Sequence, residues 1–346
     1  MKTEVVTAPK AFWVVSNRQS QNVEAVTRAV ERLEEGEQVA LPTETVYGLA
    51  ADALDPIAVA KIFEAKERPH FDPLIVHLPD RAWLGRVAHI RGEDRQLIEK
   101  LIGHFWPGPF TIVLPKKSIV PEIVTAGLDT VAVRISEHPV FAEIIRAFGG
   151  PLAAPSANRF GRVSPTTAQH VLDELDGRIP LIIDAGQTLH GIESTIVAVH
   201  HDRIDILRRG PITVEQLSQF GKIDLVPPAE KVLAPGQLPT HYAPKTPLRL
   251  IEDINSFAPD KNQRVGLLAW GPIESGKNFA VVRRLSKQQD LREAATKLFL
   301  YLRELDQSDV DLIVAERVPE VGLGGAIMDR LQRATHDPSD EQDTPE

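Results

Sequence analysis

Six stretches of the chain crowd hydroxyls, amides and cations against short apolar runs. LPTETVYG sets Thr43, Glu44 and Thr45 directly after a strand-like run and before Gly48. In open α/β sheets the crevice beyond strand ends is the usual ligand site, so these groups either line a site or cap an ordinary turn. KERPHFDPLIVH carries Lys66 and Arg68 one residue apart, with Pro69 and Pro73 stiffening the loop beyond them. Such a pair suits an anion, the arginine fork gripping two phosphate oxygens and the lysine acting as a movable point charge; a solvated helix end would use the same residues. VAVRISEHP buries Arg134 in a strand pattern, where it must either snorkel at an edge or receive a carboxylate or phosphate. APSANRFGRVSPT gathers Ser156, Asn158, Gly161, Ser164 and Thr166, and DAGQTLHGIESTIV gathers Asp184, Gly186, Gly191, Ser194 and Thr195. ILRRG adds Arg208 and Arg209 at a strand end. Small donors beside glycine let a backbone approach phosphate closely. Each stretch alone is weak, but together they indicate a site for a small, multiply anionic ligand.

Composition narrows the chemistry. The chain has 346 residues, 42% hydrophobic and 25% charged, more than one core usually organises, so two domains are expected. With no cysteine, thiol nucleophiles, thiolate metal sites, iron–sulfur clusters and disulfides are all excluded. The net charge is −9, with 23 basic and 28 acidic residues in 1–220 and 16 against 20 beyond it. Neither half has the basic balance of a bulk nucleic-acid binder. No apolar run reaches the roughly 20 residues that span a bilayer, and the N-terminal stretch lacks a signal-peptide core; a soluble, cytoplasmic protein is expected.

The elements that would position these groups read as a mixed α/β pattern. Between 38 and 209, β-rich runs (QVALPT, PLIVHL, FTIVLP, TVAVRI, PLAAPS, PLIIDAG, STIVAV, RIDILRR) alternate with helical stretches at PIAVAKIFEAKE, near 92–104 and around 138–148. SPTTAQHVLDEL predicts a further helix, with Ser164 as N-cap and Pro165 at the first helical position. Many strands without strict βαβ repetition predict a twisted, mixed, open sheet with helices for 1–220. Residues 221–247 carry six prolines and read as a linker. Beyond it, LRLIE, RVGLLAW, FAVVRRL and VDLIVAERV, with a helix over 287–306, predict a smaller, mostly parallel, Rossmann-like α/β domain at 248–336. The acidic tail, 337–346, lacks apolar residues and is expected to be disordered.

Two features are weaker than they look. GPIESGKN, Gly271 to Asn278, has the spacing of a phosphate-binding loop, but Asn278 replaces the metal-binding hydroxyl and a strand follows where the motif needs a helix. His77, His138, His190 and His241 are scattered singly, and a lone histidine is more often structural than a ligand. There is no G-x-S-x-G, H-E-x-x-H or dinucleotide fingerprint.

Taken in order, PTETVYGL, KERP with DPLIVH, WPGPFTIVL, VAVRISEHP, PSANRFGRVSPT, DAGQTLHGIESTIV and ILRRG resemble the YrdC-like family. The HYAP linker and the late GLGGAIMDRLQRAT resemble its two-domain members, the threonylcarbamoyl-AMP synthases. The resemblance implies synthesis of L-threonylcarbamoyl-AMP from L-threonine, bicarbonate and ATP, with pyrophosphate released and magnesium on the phosphates, to supply threonylcarbamoyl-adenosine beside the tRNA anticodon. It implies Lys66, Arg68, Ser156 and Asn158 around the triphosphate and its metal, and Thr130, Arg208 and Tyr242 as nucleotide contacts. It implies Thr43, His77, Arg134 and Ser194 in a threonine pocket, Arg134 facing the carboxylate, and Ala154 offering only its backbone. Asp72 stands where many members have Asn; an acid beside triphosphate would repel it unless it faces magnesium or hydrogen-bonds elsewhere. Tyr242, on the stiffened HYAP segment, is expected to close over the nucleotide, the alternative being a spacer whose Tyr packs on the second domain. Possible partners are tRNA or a downstream threonylcarbamoyl transferase complex. An RNA-binding module and a carbamoyl transfer enzyme using carbamoyl phosphate remain as other classes, the first disfavoured by few aromatics (5%).

Overall fold

The computed structural model describes residues 2–8, 23–226, 242–254, 257–260, 262–273 and 279–335. His241, most of the proline-rich linker, the 274–278 part of GPIESGKN and the acidic tail lie outside the described residues. The chain divides into two units, Met1–Phe160, Pro165–Leu189 and Glu193–Gln237 forming the first, and Gly161–Ser164, His190–Ile192 and Leu238–Glu346 the second.

In the first unit the strands are β1 (Glu4–Thr7), β2 (Val39–Leu41), β3 (Gly48–Asp52), β4 (Ile75–His77), β5 (Phe110–Pro115), β6 (Thr130–Arg134), β7 (Leu152–Ala153), β8 (Leu181–Asp184), β9 (Thr195–His200), β10 (Arg203–Arg208) and β11 (Lys222–Leu225). Among the described residues they pair in the order β1-β8-β2-β3-β7-β4-β6-β5-β9-β10-β11. The pairing is mixed, as the pattern predicts: β4 runs parallel to β6, β5 antiparallel to β6 and parallel to β9, and β9 antiparallel to β10. The helices are α1 (Val23–Glu34), α2 (Pro56–Lys66), α3 (Leu84–Val87), α4 (Arg95–Phe105), α5 (Glu122–Thr125), α6 (Pro139–Phe148), α7 (Ala168–Leu175) and α8 (Val214–Leu217).

Local chemistry explains the boundaries that matter to the site. Asp55 caps α2 by accepting from the Ile57 N–H at 2.8 Å, and Pro56 starts it with a preset φ. The helix stops at Glu67, which is left-handed at φ 54, so Lys66 is its last residue. The helix expected to start at Ser164 starts three residues later, with Thr167 as the cap accepting from His170 N–H at 3.2 Å. The carbonyls of Pro165 and Thr166 are already taken by the N–H groups of Tyr47 (2.9 Å) and Thr188 (3.0 Å), so this peptide is committed to tertiary pairing rather than to a first helical turn.

Strand alternation sorts the sheet into two faces. On β6, Val131 and Val133 enter the main core with Leu74, Val76 and Phe110, whereas Ala132 meets Ile75, Ile196 and Leu207 on the opposite face. Thr130 and Arg134 share that second face by period.

The second unit has β12 (Leu248–Ile251), β13 (Val265–Ala269), β14 (Val281–Arg284) and β15 (Leu312–Glu316), all paired parallel in the order β12-β15-β13-β14. α9 (Leu291–Asp306) follows the expected leucine spacing and begins at Asp290, whose carboxylate accepts from Arg292 and Glu293 N–H. α10 (Gly324–Ala334) starts at a glycine for a steric reason: a Cβ there would lie 1.7 Å from the Pro319 carbonyl oxygen.

Candidate active site

Register assembles the site. Reading across the sheet, Leu152 pairs with His77, His77 with Arg134, Arg134 with Thr111, Thr111 with Ile196 and Ile196 with Arg208. Directly paired residues share a face, so His77, Arg134, Thr111 and Arg208 form one row across β4, β6, β5 and β10. An irregularity between Ile206 and Arg208 keeps Arg208 in that row.

At one end of the row the turn after β2 supplies a counter-ion. The Thr43 hydroxyl accepts from the N–H groups of Thr45 (3.1 Å) and Val46 (3.2 Å) and donates to Val46 O (2.6 Å), folding the turn on itself. That turn presents Glu44, fully buried, to Arg134 and to the Ser136 hydroxyl, which donate to its two oxygens. Arg134 also donates to Thr45 Oγ1 (3.1 Å) and to Gly108 O (3.2 Å). Burial alone would raise the Glu44 carboxyl, but the Arg134 charge and the hydrogen bonds from Ser136 and Arg134 outweigh it and hold the group below its ordinary value. The anion that the Arg134 pattern demands is therefore supplied by the chain itself, and the edge-snorkelling alternative is excluded by its burial.

His77 is buried beside this pair, its ring 4.8 Å from that of Phe141. Burial, and then the Arg134 charge, lower its pKa to about 3, so the imidazole is neutral. Its Nδ1 has no hydrogen-bond partner among the described residues. Ala154 donates its N–H to Ile75 O at 2.9 Å, and its methyl is 3.3 Å from where a Cβ on Gly48 would stand.

Past Thr111 the row turns polar again. Thr111 and Ser194 share a 2.8 Å hydrogen bond, and Arg208 grips Ser194 through Nη2 to Oγ (3.0 Å) and Nε to the carbonyl (3.1 Å). Gly210 permits this closure, since a Cβ there would lie 2.4 Å from Thr195 N. Thr130, at the start of β6 and paired with Pro115, is half-buried.

The basic pair is not a solvated helix end. Lys66 is buried and its ammonium donates to the carbonyls of Ser156 and Asn158, while Phe160 N–H returns to Lys66 O at 2.8 Å. Burial, reinforced by the Arg68 charge, lowers the Lys66 pKa well below the ordinary lysine value. The same loop is pinned by Ala157 N–H on Tyr47 O and Leu49 N–H on Pro155 O, both at 2.8 Å. The Asn158 amide donates to Arg159 O at 2.7 Å. Arg68 donates Nε to Asp72 O (3.2 Å) and Nη2 to Pro73 O (2.8 Å), and Nη2 lies 2.8 Å from Asp72 Oδ2. Asp72 thus answers the question its sequence position raises in an unforeseen way: its carboxylate is held by charge against Arg68, without a hydrogen bond among the described residues. Burial raises the Asp72 carboxyl, and the charges of Arg68, Lys66 and Arg208 oppose that rise.

The structure brings the sequence-predicted residues of the first unit into two groups, Thr43, His77, Arg134, Ser194 and Arg208 along the row and Lys66, Arg68, Asp72, Ser156 and Asn158 around the basic pair, with Thr130 at the start of β6. Glu44, which the sequence offers only as a strand-end turn residue, is the counter-ion of Arg134, and Thr111 and Ser136 are members that sequence reasoning does not single out. Tyr242 belongs to the second unit. Its ring is 1% exposed, stacks 5.4 Å from Phe299, and lies under the Arg330 guanidinium at 5.4 Å. In this structure Tyr242 packs on residues of its own unit. Elsewhere in the first unit, Glu93, Asp94 and His201 bring ligand atoms within 4.8 Å of one another, beside a cavity of about 680 Å³ that Lys100 and Lys222 also line.

The Sua5–YciO–YrdC family, described as telomere recombination, matches residues 31–210, and the C-terminal domain family of threonylcarbamoyl-AMP synthase matches 212–335. The chain belongs to the Sua5–YciO–YrdC family. Among its members, the threonylcarbamoyl-AMP synthase of Bacillus subtilis strain 168 is 40% identical over 336 residues, covering 93% of this chain and 96% of the relative. That of Pyrococcus abyssi is 39% identical over 320 residues, covering 88% and 92%. A crystal structure of P. abyssi Sua5 complexed with L-threonine superposes with a TM-score of 0.83 at 35% identity, over 96% of this chain and 98% of the other. Among the described residues no helix is long and apolar enough to cross a membrane.

Proposed function

We propose that this protein makes L-threonylcarbamoyl-AMP from L-threonine, bicarbonate and ATP, releasing pyrophosphate and water. The supporting observation is the row that joins His77 and the Arg134–Glu44 pair, through Thr111 and Ser194, to Arg208, together with the buried Lys66–Arg68 pair whose Asp72 carboxyl also feels the Arg208 charge. A zwitterion at one end meets both signs of charge, and a polyanion at the other meets three cations offset by one carboxylate.

In this reading the threonine amine and bicarbonate form a carbamate with loss of water. A carbamate oxygen then attacks the α-phosphorus of ATP, the bond to the β-phosphate oxygen breaks, and pyrophosphate leaves. No covalent nucleophile is needed, so the enzyme's contribution is positioning and charge stabilisation. Arg134 is held rigid by Glu44, Thr45 and Gly108 and orients the amino acid. His77 contributes a neutral nitrogen rather than a charge. Lys66 fixes the Ser156–Asn158 loop, and Arg68 and Arg208 face the phosphates. Ser194, anchored by Arg208 and Thr111, stands between the two ends. Magnesium would neutralise triphosphate charge; on the protein side the fit is the buried Asp72 carboxylate, which accepts no hydrogen bond among the described residues. The product would serve threonylcarbamoyl-adenosine formation in tRNA.

The test is pyrophosphate release from ATP by the purified chain with magnesium and bicarbonate, with and without L-threonine, alongside mass detection of the adenylate. Threonine-dependent release with the adenylate present supports the reading. Absence of release with threonine sinks it.

A further inference from the structure

Asp72 is paired with Arg68 by charge alone, and its capacity to accept hydrogen bonds is left over. Its side chain is 0% exposed, yet neither carboxylate oxygen accepts a hydrogen bond among the described residues. An ionised carboxylate offers about four lone-pair sites, and buried ones ordinarily fill several with donors. The loop itself does not need the acid, because Arg68 fastens it through the backbone carbonyls of Asp72 and Pro73, and Leu74 N–H binds Val124 O at 2.8 Å. The carboxylate has one close charge partner, Arg68 Nη2 at 2.8 Å, and feels Lys66 and Arg208 as further positive neighbours.

Arg68 is also the group that an incoming phosphate would take. Once its guanidinium turns to phosphate oxygens, Asp72 is a buried carboxylate facing a polyanion, a situation that is unfavourable unless a cation or proton joins it. Hard divalent cations favour oxygen ligands, and magnesium is commonly held by one or two carboxylates together with substrate phosphates. A buried carboxylate whose two oxygens accept no hydrogen bond among the described residues, held only by the Arg68 charge that phosphate would claim, meets that description.

We propose that Asp72 is a protein ligand of the divalent cation that accompanies the nucleotide, exchanging Arg68 for the metal when phosphate claims Arg68. The assignment rests on the reading of this cluster as the triphosphate site. A neutral residue at this position would leave the metal to the phosphates alone, so metal and residue 72 are energetically coupled in this chain.

The test is a binding cycle on the full chain, by calorimetry: ATP with EDTA and ATP with magnesium, for the native protein, Asp72→Asn and Asp72→Ser. Magnesium is expected to tighten ATP binding by the native chain about tenfold or more beyond its effect on either variant. With EDTA the variants should bind ATP more tightly than the native chain, since they lack the opposing charge. In parallel, the affinity of Mn2+ for the ATP-bound protein, read by electron paramagnetic resonance, should fall about tenfold or more in Asp72→Asn. Equal gains from magnesium in the native chain and in a folded variant would overturn the proposal while leaving the nucleotide site intact. A native chain that binds no ATP in either condition would overturn both.

Discussion

Parallel strands end in both units among backbone N–H groups and buried charge, and the two ends differ in whether the chain satisfies them. In the second unit the Glu316 carboxylate, at the end of β15, accepts from the N–H groups of Trp270 (2.7 Å) and Gly271 (3.1 Å) just after β13. Gly271 opens GPIESGKN, the stretch with phosphate-loop spacing, and an internal anion already fills its N–H and that of the residue before it. Its buried cations are similarly committed: Arg330 donates to Asp329 at 2.8 Å and covers Tyr242, and Arg303 donates to the Val163 carbonyl. In the first unit the Asp72 carboxylate, 2.8 Å from Arg68, accepts no hydrogen bond among the described residues, and His77 keeps a nitrogen without a partner there. Strand ends and motif spacing are thus common to both; incomplete internal compensation separates a candidate site from a closed structural end.

The comparison breaks most visibly at Arg134, the cation of the first unit that the chain pairs most completely. Arg134→Met leaves Glu44 buried and unpaired, and urea unfolding at neutral pH should show a loss of about 3–5 kcal/mol. Adding Glu44→Gln should recover most of that stability but none of the threonine-dependent turnover. Arg68→Ala should act oppositely, lowering threonine-dependent pyrophosphate release by about 10²–10³-fold, in the range for removing one charge-stabilising donor. Its effect on unfolding should be smaller than that of Arg134→Met. Glu316→Ala should cost about 1–3 kcal/mol in denaturant unfolding by exposing two unpaired N–H groups, with turnover per folded molecule unchanged. A loss of turnover there would show that the second unit's strand end is not merely structural.

The smallest effect per step concerns pH. The folded His77 pKa of about 3 lies below its ordinary 6.5, so the unfolded chain takes up the proton first. Its contribution is complete above pH 6.5 and is lost as pH falls towards 3, by about 1.4 kcal/mol per unit. His138, lowered to about 4 by burial, runs in the same direction, and depressed Glu44 adds to the loss only below about its ordinary 4.5. His77→Gln should therefore flatten the decline in unfolding free energy between pH 6.5 and 4.5; an unchanged slope would remove His77 from the account.

Much of this was legible in the residues. The runs FTIVLP, TVAVRI and STIVAV fold as β5, β6 and β9, and the leucine spacing of α9 holds from its aspartate cap onward. GLAAD, by contrast, has no β-branched residue to announce β3; it is a strand because β2 and β7 flank it on either side. Thr111 inside FTIVLP reads as a strand former, and Ser136 as a loop residue. Neither carries a signal until register sets Thr111 between Arg134 and Ile196 and the chain returns Ser136 to Glu44.

The sequence by itself determined the chemical vocabulary: no thiol, strand ends rich in cations and small hydroxyls, and an ordered set of motifs covering nearly the whole chain. Those are properties of residue type and local spacing, which the chain carries whatever its fold. Only the tertiary structure decided the partners. Arg134 answers to Glu44 across 90 residues, Lys66 to Ser156 across 90, and Asp72 to Arg68, because buried charge is settled by whatever the fold brings within about 3 Å, and sequence separation does not measure that distance.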